Sequence, residues 1–211
     1  MGTGGVFTMK SSACGHPTGP SRQDGTSHLE MIVVVFVIGV LASHQAPGFA
    51  AWRDEQRLEA AIRHLAGEVQ RACSLAIASG RGHALAFDAS ARDLGWRAAA
   101  DEDGDGVGSA DLASGRDLWL GPWSRLSGRF PGVEPGRPGG VPTVAGGAVD
   151  RDGLAFGRGS LVACGADGGV RSGTLYLRAS GRGAALRLYG PTGRQSLWWW
   201  GSEGGDWARL R

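Results

Sequence analysis

Lysine is almost missing from this 211-residue chain, where Lys10 is the only one. The cations are therefore arginines. Their formal excess of +2 is too small to announce a nucleic-acid partner by charge alone. Cysteine is scarce as well. Cys14, Cys73 and Cys164 form no C-x-x-C pair, which argues against a structural zinc site. The five histidines are scattered, none at ligand spacing from another His or Cys. There is no G-x-S-x-G, no Walker A and no H-E-x-x-H, so an enzyme is not expected. Glycine-rich segments lack the strand-to-helix context that phosphate binding needs. No internal repeat and no collagen-like period is present. Residues 1–25 are polar and rich in Gly, Ser and Pro, with no apolar core of their own. That excludes an ordinary secretory signal peptide, whose apolar core precedes its cleavage site.

What is abundant is glycine, 38 residues of it, which marks many turns and long loops. The most hydrophobic stretch is Gly25 to Pro47. From Met31 to Ala42 it carries no charged or strongly polar side chain, yet Glu30 stands at its leading edge. A carboxylate at the centre of a lipid-embedded helix costs about 2.5 to 3.5 kcal/mol, and less near the interface. Glu30 is therefore either solvated at headgroup level or has a partner. A spanning helix needs about 20 mostly apolar residues, and Thr26 to Pro47 taken together supplies that length. Gly39 is compatible with such a helix. Pro47 is expected to kink it near the membrane surface.

From Ala50 to Ser79 the pattern stays helical. Leu58, Ile62, Leu65, Val69, Ala72, Cys73 and Ala76 recur at spacings of three and four, with Arg57, Glu59, Arg63, Glu68 and Arg71 on the other faces. Gly80 is a fitting C-cap. Short strands follow, expected at 84–87, 94–98, 118–120, 153–156, 160–163, 174–178, 185–189 and 196–200. Gly181 to Gly183 suits a hairpin turn. Residues 127–147, with four prolines, read as one long surface loop. The fold class predicted is α+β: a long N-terminal helix, its first half transmembrane, packed on an antiparallel domain of two small sheets.

Asp101, Asp103 and Asp105, followed by Gly106, match the first half of an EF-hand-type calcium loop. Its twelfth position is Leu112 where a bidentate Glu is wanted, although Asp111 lies one residue earlier. A solvated acidic turn is the preferred reading, with a weak calcium loop as the alternative; no other cofactor is expected. Trp198, Trp199 and Trp200 load one strand with aromatics that face either a core or a partner subunit.

Gly25, then Glu30, then an unbroken apolar run with Gly39 and Pro47, resembles the N-terminal signal of type IV pilins and pseudopilins. The segments QRACSLAIASG, DEDGDG, GLAFGRGS and SGTLYLRASGRGAALRLYGPTGR resemble the GspH/FimT family of minor pseudopilins and minor pilins. The resemblance implies a leader at 1–25 cut after Gly25 by a prepilin peptidase, and N-methylation of Thr26. The family usually has a bulky apolar residue at the position of Thr26. It further implies a transmembrane helix at 26–48, an amphipathic periplasmic helix at 49–80 and a globular domain at 81–211. Glu30 would meet the N-terminal amine of a neighbouring subunit in the filament and, with Pro47, serve assembly. The location implied is the inner membrane, single-pass, with the domain in the periplasm.

In that oxidising compartment Cys73 and Cys164 are either a disulfide or two buried thiols. Gly193-Arg194 matches half of the family's GRxR element. Arg194 and Arg187, with Arg178 and Arg182, could contact DNA if they cluster, although solvated strand charge is the preferred reading. The function implied is that of a minor type II secretion pseudopilin, a structural subunit near the pseudopilus tip with other pseudopilins as partners. The alternatives are a minor pilin priming type IV pilus assembly or binding DNA, and an unprocessed single-pass protein with a periplasmic binding domain.

Overall fold

The computed structural model describes residues 27–90, 92–144, 153–156, 160–201 and 205–210, with side chains left undescribed at 42–48. In chain order the first elements are α1 (His28–Ser79), β1 (His83–Ala89), β2 (Leu94–Ala100), α2 (Ser109–Ser114), β3 (Leu118–Arg125), α3 (Leu126–Arg129) and β4 (Glu134–Pro135). There follow β5 (Leu154–Ala155), β6 (Leu161–Cys164), β7 (Gly173–Ala179), β8 (Arg182–Tyr189), β9 (Arg194–Trp200) and β10 (Ala208–Arg209). The chain is thus α+β, with antiparallel sheets. It separates into two compact units, Met1–His44 and Gln45–Arg211.

In the second unit α1 forms where its apolar spacing predicts. Leu58, Ala61, Ile62, Leu65, Val69, Ala72, Cys73 and Ala76 are all buried. Residues three and four apart share one helix face, and this face is the one turned to the core. The helix stops at Gly80, whose φ of +67° is the left-handed conformation that glycine adopts without penalty. Ser79 Oγ donates to the carbonyl of Leu75 in the last turn.

Two sheets receive that face. One has the order β3-β2-β1-β6; the other runs β10-β9-β8-β7-β4, with β5 also paired to β7. Alternation along β7, β8 and β9 sends Leu175, Leu177, Ala179, Ala184, Leu186, Leu188, Leu197 and Trp199 into the core shared with α1. The first sheet adds Leu85, Phe87, Leu94, Trp96, Val162 and Cys164. Its other face carries a smaller apolar cluster of Ala84, Ala86, Ala99 and Leu161, packed with Val107 and Leu112 of the α2 region.

The expected strands are present, most of them longer than the sequence pattern suggested. The β7–β8 turn sits one residue earlier than expected. Ala179 pairs with Arg182, which leaves Ser180 and Gly181 as a two-residue loop, both at positive φ (49° and 79°). That is the turn whose twist matches the flanking strands. The stretch expected to be one loop at 127–147 is more structured than predicted up to residue 144. It holds the last turn of α3, with Leu126 buried, and β4 paired to β7. Residues 145–152 lie outside those described.

In the first unit α1 begins at His28, with Glu30 in its first turn. Among the described residues no helix is long and apolar enough to cross a membrane. The described side chains of the apolar run stop at Leu41.

Candidate assembly site

The first turns of α1 present an exposed apolar surface. Leu29, Met31, Ile32, Val33, Val34, Val35, Phe36, Val37, Ile38, Val40 and Leu41 are between 43% and 74% exposed. Consecutive residues point in all directions around a helix, so this segment is hydrophobic on every side. A helix of that kind belongs inside a large core, a bundle or a bilayer. Glu30 is exposed at the leading end of the run and has no ion-pair partner among the described residues. Its place in the first turn sets the carboxylate by the free N–H groups, where the helix dipole favours it. Gly25 and Thr26 lie outside the described residues, as does the side chain of Pro47, through which the helix assignment runs.

Cys73 and Cys164 are joined by a disulfide, with Cα atoms 5.0 Å apart. Helical spacing puts Cys73 on the buried face of α1. Pairing with His83 puts Cys164 at the end of β6. The bond therefore fixes the last turns of the helix to the first sheet.

A second attachment was not legible in the sequence. Ser180 Oγ, at the tip of the β7–β8 hairpin, donates to Asp54 Oδ2 at 2.6 Å, and Arg182 pairs with Glu55. Asp54 and Glu55 look like two solvated helix charges until the hairpin is placed beside them.

The acidic loop brings Asp101, Asp103 and Asp105 together, each offering a carboxylate oxygen within 4.8 Å of the others. Asp111 is not in that group; its Oδ1 pairs with Arg116 at 2.7 Å. Asp101 is buried and its two oxygens are used, accepting from Gly104 N–H at 2.7 Å and Gly106 N–H at 3.0 Å. Asp103 and Asp105 are exposed. A hydrogen bond between them, followed by their mutual repulsion, raises the pKa of Asp105. The local geometry is that of an acidic turn held by Asp101. A short helix, α2, follows it, where the sequence pattern carries no helical signal.

The four arginines of the second sheet do not form one cluster. Arg178 pairs with Glu134 and Arg182 with Glu55. Arg187 and Arg194 converge instead on Tyr189, their guanidinium carbons 5.1 and 4.6 Å from its ring centroid. The register explains this, since Tyr189 sits opposite Arg194 and two residues beyond Arg187 on the same face.

Of the three consecutive tryptophans, Trp199 packs on the main core. Trp200 meets Trp207, which also touches Tyr176 and donates from Nε1 to the carbonyl of Pro142 at 2.8 Å. That end of the sheet is partly covered by the chain's own C-terminal residues. Among the described residues the exposed aromatics lie elsewhere, at Phe36, Phe49, Trp52 and Trp123.

No protein-family model matches the chain, and no curated protein or solved structure matches it either.

Proposed function

We propose that this chain is a structural subunit of a pilin-like filament, a minor pseudopilin of a type II secretion system. The observation that carries the proposal is the contrast along α1. One face of it, from Leu58 to Ala76, is buried in an α+β domain, while its residues from Leu29 to Leu41 expose an all-round apolar surface headed by one carboxylate. An apolar surface of this size is stable only if something covers it. A bilayer before assembly and neighbouring stalks after assembly would do so in turn.

On this proposal the prepilin peptidase cuts after Gly25, Thr26 is N-methylated, and residues 26–48 span the inner membrane. The domain then lies in the periplasm, an oxidising compartment that suits the Cys73–Cys164 bond. Glu30 takes its partner from the N-terminal amine of an adjacent subunit, because a desolvated charge is tolerable only when paired. No catalytic role is assigned, and calcium is not required.

N-terminal sequencing of the membrane-extracted protein tests the proposal. A methylated Thr26 supports it; an intact Met1 points to an unprocessed single-pass protein instead. Glu30→Ala should leave membrane insertion intact and lower crosslinking to partner pseudopilins. Unchanged crosslinking removes the assembly role of Glu30.

The pair of guanidiniums on Tyr189 favours a second reading, a minor pilin of a type IV pilus that touches DNA. A salt-dependent shift of DNA mobility by the protein, lost in Arg187→Ala with Arg194→Ala, would select it.

A further inference from the structure

His64 sits where α1 meets α3 and β2. Its ring lies edge-on to Trp96, 5.6 Å between centroids, and tilted against Phe130 at 5.7 Å. Its Nε2 is 2.9 Å from Arg129 Nη1. A guanidinium can only donate, so Nε2 is the acceptor and the neutral ring carries its proton on Nδ1. The charged groups facing the ring are Glu68 and Arg71 from α1 and Arg129 from α3; β2 contributes the uncharged Trp96. Glu68 is 4.0 Å away and already holds Arg71 at 2.8 Å. Burial, and after it Arg129, lowers the imidazole pKa below its ordinary 6.5, with Glu68 opposing.

We propose that His64 is an acid-released latch: neutral, it fastens α3 to α1, and protonated, it lets the segment from Arg129 to Val133 go. A proton on Nε2 removes the acceptor that Arg129 uses and sets two cations at the same short distance. Among the described residues only Glu68 can offset this, and its carboxylate is shared with Arg71.

What the latch holds is a small cover on the core. Phe130 packs on the main apolar cluster and Val133 is buried. The turn itself is held by Phe130 N–H to Leu126 O at 2.7 Å and Val133 N–H to Phe130 O at 3.1 Å. The front of α3 has its own tie, because Asp93 accepts from both Ser127 N–H and Ser127 Oγ at 3.0 Å. Release is therefore local, opening the far end of the segment and uncovering the core surface on which Phe130 and Val133 pack. An apolar surface would appear in acid that is absent at neutral pH.

Hydrogen exchange of the full chain in detergent micelles, between pH 7.5 and 5.0 and corrected for intrinsic exchange, tests it. Protection of the amides of Phe130 and Val133 should fall at least tenfold, with a midpoint matching the titration of His64 read from its ring proton by NMR. Amides of β7 and β8 should stay unchanged. His64→Gln, which keeps a neutral acceptor for Arg129, should show no such fall. An equal fall in His64→Gln, or none in the wild type, overturns the latch. Should that variant not fold, Arg129→Gln decides: the His64 midpoint should rise once the facing cation is gone, and an unmoved midpoint also overturns the proposal.

Discussion

Replacing Cys73 and Cys164 together by alanine should cost the domain a large part of its stability. The bond closes a loop of 91 residues. In the chain-entropy treatment a loop of that size removes about 15 cal/mol/K from the unfolded ensemble, or about 4.6 kcal/mol at 25 °C. Both sulfurs are buried, so their loss adds a cavity cost of about 1 kcal/mol. Domains of ordinary stability have about 5 to 15 kcal/mol in all, so a loss of this size is severe. At about 2 to 4 °C per kcal/mol for a chain of this length, the thermal midpoint should drop by about 10 to 20 °C. The assay is thermal and urea unfolding of the full chain in detergent, followed by circular dichroism, with the reduced wild type as a second control. The urea slope should rise in the variant, because its unfolded state is free to expand. A variant within 1 kcal/mol of the oxidised wild type would refute the reasoning, and would mean that the packing of Leu58 to Ala76 holds the helix unaided.

Leu65→Ala, at a fully buried position on that helix, should destabilise by about 2 to 5 kcal/mol in the same assay. Asp101→Ala removes a buried carboxylate that accepts from two backbone N–H groups of its turn, so a loss of about 1 to 3 kcal/mol is expected by urea unfolding. Calcium at millimolar concentration should leave the thermal midpoint unchanged, since Asp101 is engaged by its own loop and Asp111 by Arg116; a rise of several degrees would establish a site there. His64 has a lowered folded pKa, so its contribution is present above about pH 6.5 and is lost as pH falls toward the folded value. Urea midpoints should therefore decline with acid more steeply in the wild type than in His64→Gln.

Much of this fold is legible in the residues themselves. The seven apolar positions from Leu58 to Ala76 repeat with the helical period, and burial follows that repeat. The alternation in β7 and β8 likewise announces a hairpin. What was not legible depends on pairings between distant segments. Nothing near Asp54 points to Ser180, and nothing near His64 points to Arg129. The turn falls at Ser180-Gly181, one residue before the Gly181–Gly183 stretch that suits it in sequence, because several positions there fit a turn and only the strand register chooses. The weakly structured segment from Leu126 to Pro135 hides short elements under prolines and glycines. Its order comes from Leu126 and Val133 reaching the core, a tertiary effect that overrides local composition. The acidic loop was recognised by pattern, but Asp111 is removed from it by Arg116, five residues along.

The two attachments of α1 have a mechanical meaning. Asp54 and Glu55 are gripped by a hairpin of one sheet, and Cys73 is bonded to a strand of the other. At 1.5 Å per residue those anchor points lie about 28 Å apart along the helix. A pull on the helix axis is met first by hydrogen bonds and an ion pair, which re-form in water after they yield. It is met last by a covalent bond, which does not yield. The helix can thus be loaded in shear and slacken at its outer anchor, but cannot be drawn out of its domain while the sulfurs stay joined.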